Sequence, residues 1–407
     1  MSFHIYLKVL FATFFMGGFL GTCQAQPKNN IKPLTILLSI DGFKPEYLKR
    51  NISPNLNMLA KNGALASHLI STFPSVTFPN HYSMVTGLYP DQHGIVNNTM
   101  VDPLIPETFT LSARKAIANS EWWNEGVPIW VSLEEQGGIA STLFWPGTET
   151  KIRNRQPRDW LAYDHNMTSL QRTEKLLVWL NREESSRADF ATLYFSEVDS
   201  AGHRFGPKSE EVNKSIKNVD YAIEKLLQGL DQLGILQKTT FIIVSDHGMV
   251  EVPLENKIQI DEILKAHPRA VIEWQGPLAG IRINQEILSN VLNTLKQEKN
   301  MDCWHKASIP AKYRFGSHRR IPDIVCLAKI GYTIADKNWH ILGQHGHDPY
   351  EEEMFGIFIA SGYRVLNKTI GGIENIEVYP LLLNLLNIKG EKNSAKDLLY
   401  GQIIKSN

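Results

Sequence analysis

A chain of 407 residues exceeds a single modest domain, yet one large α/β enzyme sheet with an insertion could use all of it. Its 43% hydrophobic and 21% charged residues are those of an ordinary soluble globular protein. Lys plus Arg equals Asp plus Glu at 42 each, which excludes a global field that would draw in nucleic acid or an anionic membrane surface, so any affinity for phosphate must be local.

The first 26 residues stand apart. An apolar run from Val9 to Leu20, broken only by Thr13, Gly17 and Gly18, follows Lys8 and ends in Gly21-Thr22-Cys23-Gln24-Ala25-Gln26. It is too short for a comfortable membrane span and has the form of a secretory signal over residues 1–25, cut after Ala25. Leu20-Gly21-Thr22-Cys23 offers a second reading, a lipoprotein cut that leaves a lipidated Cys23, although Thr is a poor residue just before the cysteine. Under either reading the chain is exported, periplasmic or secreted, and the mature chain keeps no transmembrane segment.

Further along, Leu34 to Ile40 is a short apolar run that predicts a buried strand, with Asp41-Gly42 directly after it. Ala191 to Phe195 repeats the pattern ahead of Ser196-Glu197-Val198-Asp199, and Phe241 to Val244 repeats it ahead of Ser245-Asp246-His247-Gly248. Between them, Leu170 to Leu180 and the series Val212, Ile216, Val219, Ile223, Leu226, Leu227 and Leu230 carry helical spacing. Strands alternating with amphipathic helices predict an α/β fold, a mostly parallel central sheet with helices on both faces, spanning residues 30–400. In such sheets ligands bind beyond the carboxyl ends of the strands, where these acidic residues fall.

Residues 257–342 interrupt the sequence between two of these clusters and read as an inserted subdomain, with a strand over Gly280 to Asn284 and a helix over Gln285 to Lys296. Ile376 to Ile388 reads as a closing helix that packs through Tyr379 and Leu383. Once Cys23 leaves with the signal, Cys303 and Cys326 remain as an even pair in an oxidising compartment. A disulfide between them is the expectation, and two buried free thiols the alternative.

The chemistry lies in four groups: Asp41, Asp199 with His203, Asp246 with His247, and His345 with His347. Asp and His supply the oxygen and nitrogen donors that zinc accepts, and chelation needs several brought together by the fold. One Asp at a strand end is as often a helix cap; four clusters in one α/β pattern argue for a metal site. In Thr72-Phe73-Pro74-Ser75-Val76-Thr77-Phe78-Pro79-Asn80-His81, Thr77 falls at a helix start, where anions are stabilised. Its hydroxyl becomes a nucleophile when a metal lowers its pKa.

These residues carry a resemblance. Asp41-Gly-Phe, Thr77-Phe-Pro-Asn-His-Tyr, Thr86-Gly-Leu-Tyr-Pro, His93-Gly-Ile-Val-Asn-Asn, Asp199-Ser-Ala-Gly-His203, Ser245-Asp-His-Gly-Met and Gln344-His-Gly-His resemble, in order, the motif series of the nucleotide pyrophosphatase/phosphodiesterase family of the alkaline phosphatase superfamily. The resemblance implies an alkaline phosphatase-like fold and two zinc ions per chain. One zinc would be held by Asp199, His203 and His345, the other by Asp41, Asp246, His247 and the oxygen of Thr77. It implies a covalent intermediate on Thr77, with Asn98 and the Phe78 amide clamping a phosphate oxygen, and Phe78, Tyr163 and Tyr194 lining a nucleobase pocket. For Asn98 the residues alone suggest a turn in the Gly94-Ile-Val-Asn-Asn loop, and for the aromatics ordinary packing. Asn97-Asn98-Thr99 also fits a glycosylation sequon, but a glycan there would crowd this site.

The chain departs from the family pattern at His347, where an aromatic is usual; there the imidazole either fills that aromatic's place or binds metal. The expected substrate is a small nucleotide or another phosphodiester, with no binding of duplex nucleic acid. A phosphomonoesterase on the same scaffold usually adds a cation for the extra charge, and no Arg or Lys lies in the Thr77 motif. A phospholipid headgroup remains open as the diester. A binding relic would have lost Thr77 or several ligands, and a sulfatase would need a Cys or Ser in another context, so both are set aside. Oligomeric state is not legible.

Overall fold

The computed structural model describes residue 1 and residues 31–405, so the signal over residues 1–25, Cys23 included, lies outside the described residues except for Met1. The run Leu34–Ile40 forms strand β1, and all of it is buried, as a strand with neighbours on both edges and helices on both faces must be. After it come α1 (Pro54–Lys61), β2 (Ala64–Ala66), α2 (Thr77–Thr86), β3 (Ala140–Leu143), β4 (Asp159–Trp160), α3 (Ser169–Leu180) and β5 (Phe190–Phe195). Then follow α4 (Glu197–Phe205), α5 (Glu210–Gln232), β6 (Thr239–Val244), β7 (Val271–Trp274), β8 (Leu278–Arg282), α6 (Gln285–Leu295) and β9 (Met301–His305). The chain closes through β10 (Ile324–Ala328), β11 (Phe358–Gly362), β12 (Lys368–Ile370) and α7 (Val378–Leu386).

Eight strands make the central sheet in the order β12-β2-β11-β6-β1-β5-β3-β4, parallel except where β11 runs against β6 and β2. In register, Ile40 faces Phe195 and Ser39 faces Val244. The ends of β1, β5 and β6 therefore reach one edge together, and the residues that follow them meet there. Helices α3 and α5 pack on one another, and α7 packs against α2 and β1. Helix α5 buries Val212, Ile216, Val219, Ile223, Leu226 and Leu230 of its expected stripe and leaves Leu227 half-buried, and Ser209 caps it by accepting the Val212 amide at 3.3 Å.

The second sheet is antiparallel, β7-β8-β10-β9, and lies wholly within residues 257–342. It forms a small core with α6, and Cys303 faces Cys326 across β9 and β10 with a disulfide between them. The expected strand Gly280 to Asn284 sits two residues earlier because Asn284 is spent capping α6, accepting the Glu286 amide at 3.1 Å. The closing helix is shorter than expected: a 3-10 turn covers Asn375–Glu377, and Asn387 at φ 52° stops α7. Among the described residues no helix is long and apolar enough to cross a membrane.

Candidate active site

Six of the seven residues expected to bind metal gather beyond the shared edge of the sheet, and Thr77 lies against them. Asp41 leaves β1 through Gly42, whose φ of 68° suits glycine and where a Cβ would stand 3.1 Å from Asp199 Cα. Asp199 and His203 share one face of α4 at i and i+4. Two groups result in which one donor atom from each residue lies within 4.8 Å of the others: Asp199, His203 and His345, and Asp41, Asp199 and His247. Asp246 joins the second through its Oδ2, 3.0 Å from His247 Nε2.

The three imidazoles are aimed in the same way. His203 Nδ1 donates to Gly343 O at 2.7 Å, His247 Nδ1 to Gly248 O at 2.9 Å and His345 Nδ1 to Ser75 O at 3.0 Å. With Nδ1 turned to the backbone, each ring presents Nε2 to the site, the nitrogen a metal would take. His203 Nε2 and His345 Nε2 stand 3.1 Å apart. Opposite, Asp41 Oδ1, Asp199 Oδ1 and Asp246 Oδ2 are buried and have no hydrogen-bond donor. Buried carboxylate oxygens without donors, ringed by imidazole Nε2 atoms, form a site that a cation completes.

The electrostatics divide the imidazoles: burial lowers His247, but the charges of Asp246 and then Asp199 outweigh it and raise His247 above the usual imidazole range. Burial, then the charges of Asp246 and Asp199, push the Asp41 carboxyl well above the usual carboxylate range. Burial, then His247 and His203, hold His345 well below the usual imidazole range and so neutral. Asp246 moves the other way, because His247 and His81 outweigh its burial.

Thr77 opens α2, and its Oγ1 lies 3.4 Å from His247 Nε2. Asn98 stands beside it, but the Phe78 amide donates to Asn98 Oδ1 at 2.9 Å, so the two expected phosphate donors are paired with each other and Asn98 Nδ2 is the donor left over. His347 turns away: its Nε2 donates to Tyr332 O at 2.9 Å, and it belongs to neither metal group.

A cavity of about 240 Å³ adjoins Thr77, Asp41 and Asp199. Phe78, Tyr163 and Tyr194 all line it, as the resemblance implies. Leu111, Phe144, Trp145 and Glu149, which sequence reasoning missed, line it too. The signal was present, because Trp145-Pro146-Gly147 follows strand β3 as Asp41 follows β1. No Lys or Arg lines the cavity among the described residues. Glu149 accepts the Tyr163 amide at 2.9 Å and Arg114 at 3.1 Å, which fixes the loop carrying Tyr163.

Comparison with known proteins places this arrangement. Residues 35–348 match the family described as type I phosphodiesterase / nucleotide pyrophosphatase. The chain is 31% identical to an uncharacterized pyrophosphatase/phosphodiesterase of Schizosaccharomyces pombe, over 90% of this chain and 79% of that one. With the bis(5′-adenosyl)-triphosphatase of Homo sapiens it shares 33% identity over 96% of this chain and 85% of that protein. Human ectonucleotide pyrophosphatase / phosphodiesterase 5 superposes with a TM-score of 0.87 at 29% identity, covering 92% of this chain and 100% of that one. Its murine counterpart, an inactive threonine-to-alanine variant in complex with AMP, superposes equally well at 0.87 and 28% identity, over 92% of this chain and 100% of its own. A sheet of this topology, these motifs in this order and these relatives make the chain a hydrolase that belongs to the type I phosphodiesterase / nucleotide pyrophosphatase family.

Proposed function

We propose that this enzyme cleaves nucleotide phosphodiester or pyrophosphate bonds, releasing nucleoside 5′-monophosphates, with two zinc ions and Thr77 as nucleophile. The observation that carries the reading is the convergence of three imidazole Nε2 atoms, each ring held through Nδ1 by the backbone, on three carboxylate oxygens without donors, beside the Thr77 hydroxyl. Asp199, His203 and His345 would hold one ion; Asp41, Asp246, His247 and Thr77 Oγ1 the other. Two such cations supply a lowered hydroxyl pKa and neutralisation of the departing oxygen.

The chain's own groups do the rest. Thr77 Oγ1 forms a bond to phosphorus as the bond to the leaving oxygen breaks, giving a phosphothreonine that water then hydrolyses. Asn98 Nδ2 meets a nonbridging oxygen without adding charge. Phe78, Tyr163 and Tyr194 offer ring faces and edges to a base, a contact that tolerates different bases. The AMP bound by the murine relative, and the inactivity of its threonine-to-alanine form, support both assignments. A cavity without Lys or Arg favours a diester over a monoester, whose extra charge would call for one. We further propose that the chain is exported, that residues 257–342 act as an inserted subdomain, and that its partners are small phosphodiesters rather than duplex nucleic acid.

The deciding assay compares p-nitrophenyl thymidine 5′-monophosphate with p-nitrophenyl phosphate, before and after chelation. A large preference for the diester, abolished by chelator and restored by zinc, is expected. Preference for the monoester would leave the scaffold and overturn the reaction.

A further inference from the structure

Tyr194 sits in two places at once. Its ring lines the substrate cavity, and its hydroxyl donates to Asp41 Oδ2 at 2.5 Å. Among the site's carboxylates Asp41 alone accepts a hydroxyl; Asp199 and Asp246 have none among the described residues.

The strand register explains the contact. Tyr194 faces Ser39 across β5 and β1, two residues before Asp41, so the side chain needs only to reach forward along the sheet edge. It is also held where it is. Arg172, 1% exposed, donates from Nη1 to Tyr194 O at 2.9 Å and from Nε to Met167 O at 2.7 Å. The ring stands edge-on to His81 at 5.3 Å and to Tyr163 at 6.2 Å. Packed on two sides of its ring, the phenol places its hydroxyl beside Asp41 Oδ2. With Oδ2 spent on Tyr194, Oδ1 is the oxygen left without a donor, and it is the one 3.3 Å from His247 Nε2.

We propose that Tyr194 is a positioning residue for the metal centre as well as a wall of the substrate cavity: its hydroxyl selects which oxygen of Asp41 faces the cation. This rests on the two-metal reading of the site and deepens it, because one side chain then joins recognition to metal binding. A wall alone would need only the ring.

Tyr194→Phe keeps the ring and removes the hydroxyl. The apo protein, wild type and variant, is titrated with zinc against a chromophoric chelator, a readout that needs no substrate. The variant is expected to bind the zinc assigned to Asp41 about tenfold less tightly, with the other zinc unchanged, the lower end of what loss of an outer-shell partner does. Its apo thermal unfolding should match wild type. Tyr163→Phe, whose hydroxyl bonds Ser196 Oγ rather than a carboxylate, should leave the zinc curve in place. A Tyr194→Phe curve that overlays wild type overturns the proposal and leaves the proposed function standing. Wild-type protein that takes up no zinc would overturn both.

Discussion

Thr77 is placed by its backbone and its neighbours more than by its hydroxyl. Asn80 Nδ2 donates to Pro74 O at 2.9 Å and to Val76 O at 2.8 Å, and His81 Nδ1 donates to Thr77 O at 2.9 Å, so the first turn of α2 is locked before the hydroxyl is considered. Thr77→Ala therefore removes one 3.4 Å contact and little else. Turnover should vanish while stability changes by about 0.5 kcal/mol or less and metal content stays level, read by diester assay, thermal unfolding and metal analysis. Near-normal turnover in that variant would end its role as nucleophile. Four of the residues proposed to bind metal sit where a local rule puts them: Asp41 and Asp246 follow strands, and Asp199 and His203 lie one helical turn apart, while the grouping into two sets came from the family resemblance. The direction of His347 was not legible, since its acceptor is the carbonyl of Tyr332. Nor was the pairing of Phe78 with Asn98, which takes a donor expected for phosphate and depends on a loop twenty residues away.

At the level of elements, alternation of apolar runs with amphipathic stretches foretold the central sheet, and its failures were at boundaries where one residue had a second task, such as Asn284 capping α6. How the segment 257–342 grips the remainder could not be read, because it rests on buried charge. Asp91 accepts the amides of Gly316, Ser317 and His318, and Arg320, wholly buried, donates to Asp102 at 2.6 Å and to Gly94 O at 2.8 Å. Gly94 begins the loop that carries Asn98, so this grip bears on the site. Glu125 belongs to the same cluster: the hydrogen bond from His318, then Arg319 and Arg320, hold its carboxyl down at about 2 against an ordinary 4.5. A carboxyl lowered on folding adds stability that is complete above its unfolded pKa and is lost as pH falls from there through its folded one. The gap in melting temperature between wild type and Glu125→Gln should accordingly be full near neutrality and shrink as pH drops from about 4.5 toward about 2. A gap independent of pH would mean that the carboxylate charge contributes nothing.

For the molecule as a whole, the sheet edge sets three carboxylates with partnerless buried oxygens in one cleft, and among the described residues nothing compensates them fully. His81 and His247 answer Asp246, but Asp41 is left facing the charges of Asp246 and Asp199, which with burial drive its carboxyl upward. An unpaired buried charge either loses its ionisation or must be matched by a cation, and a bound cation favours the folded chain over the unfolded one by mass action. At a thousandfold excess over its dissociation constant each ion would contribute on the order of 4 kcal/mol. Chelation should therefore lower the melting temperature as well as stop turnover, and stepwise return of zinc should raise it again in two phases if the two groups differ in affinity. The disulfide between Cys303 and Cys326 lies in the other sheet and is untouched by a chelator, so the loss measures the cleft alone. If unfolding is the same with and without chelator, the cleft carries its carboxylates without help from a metal, and the order of events reverses: the fold would come first and the ions would be recruited for chemistry only.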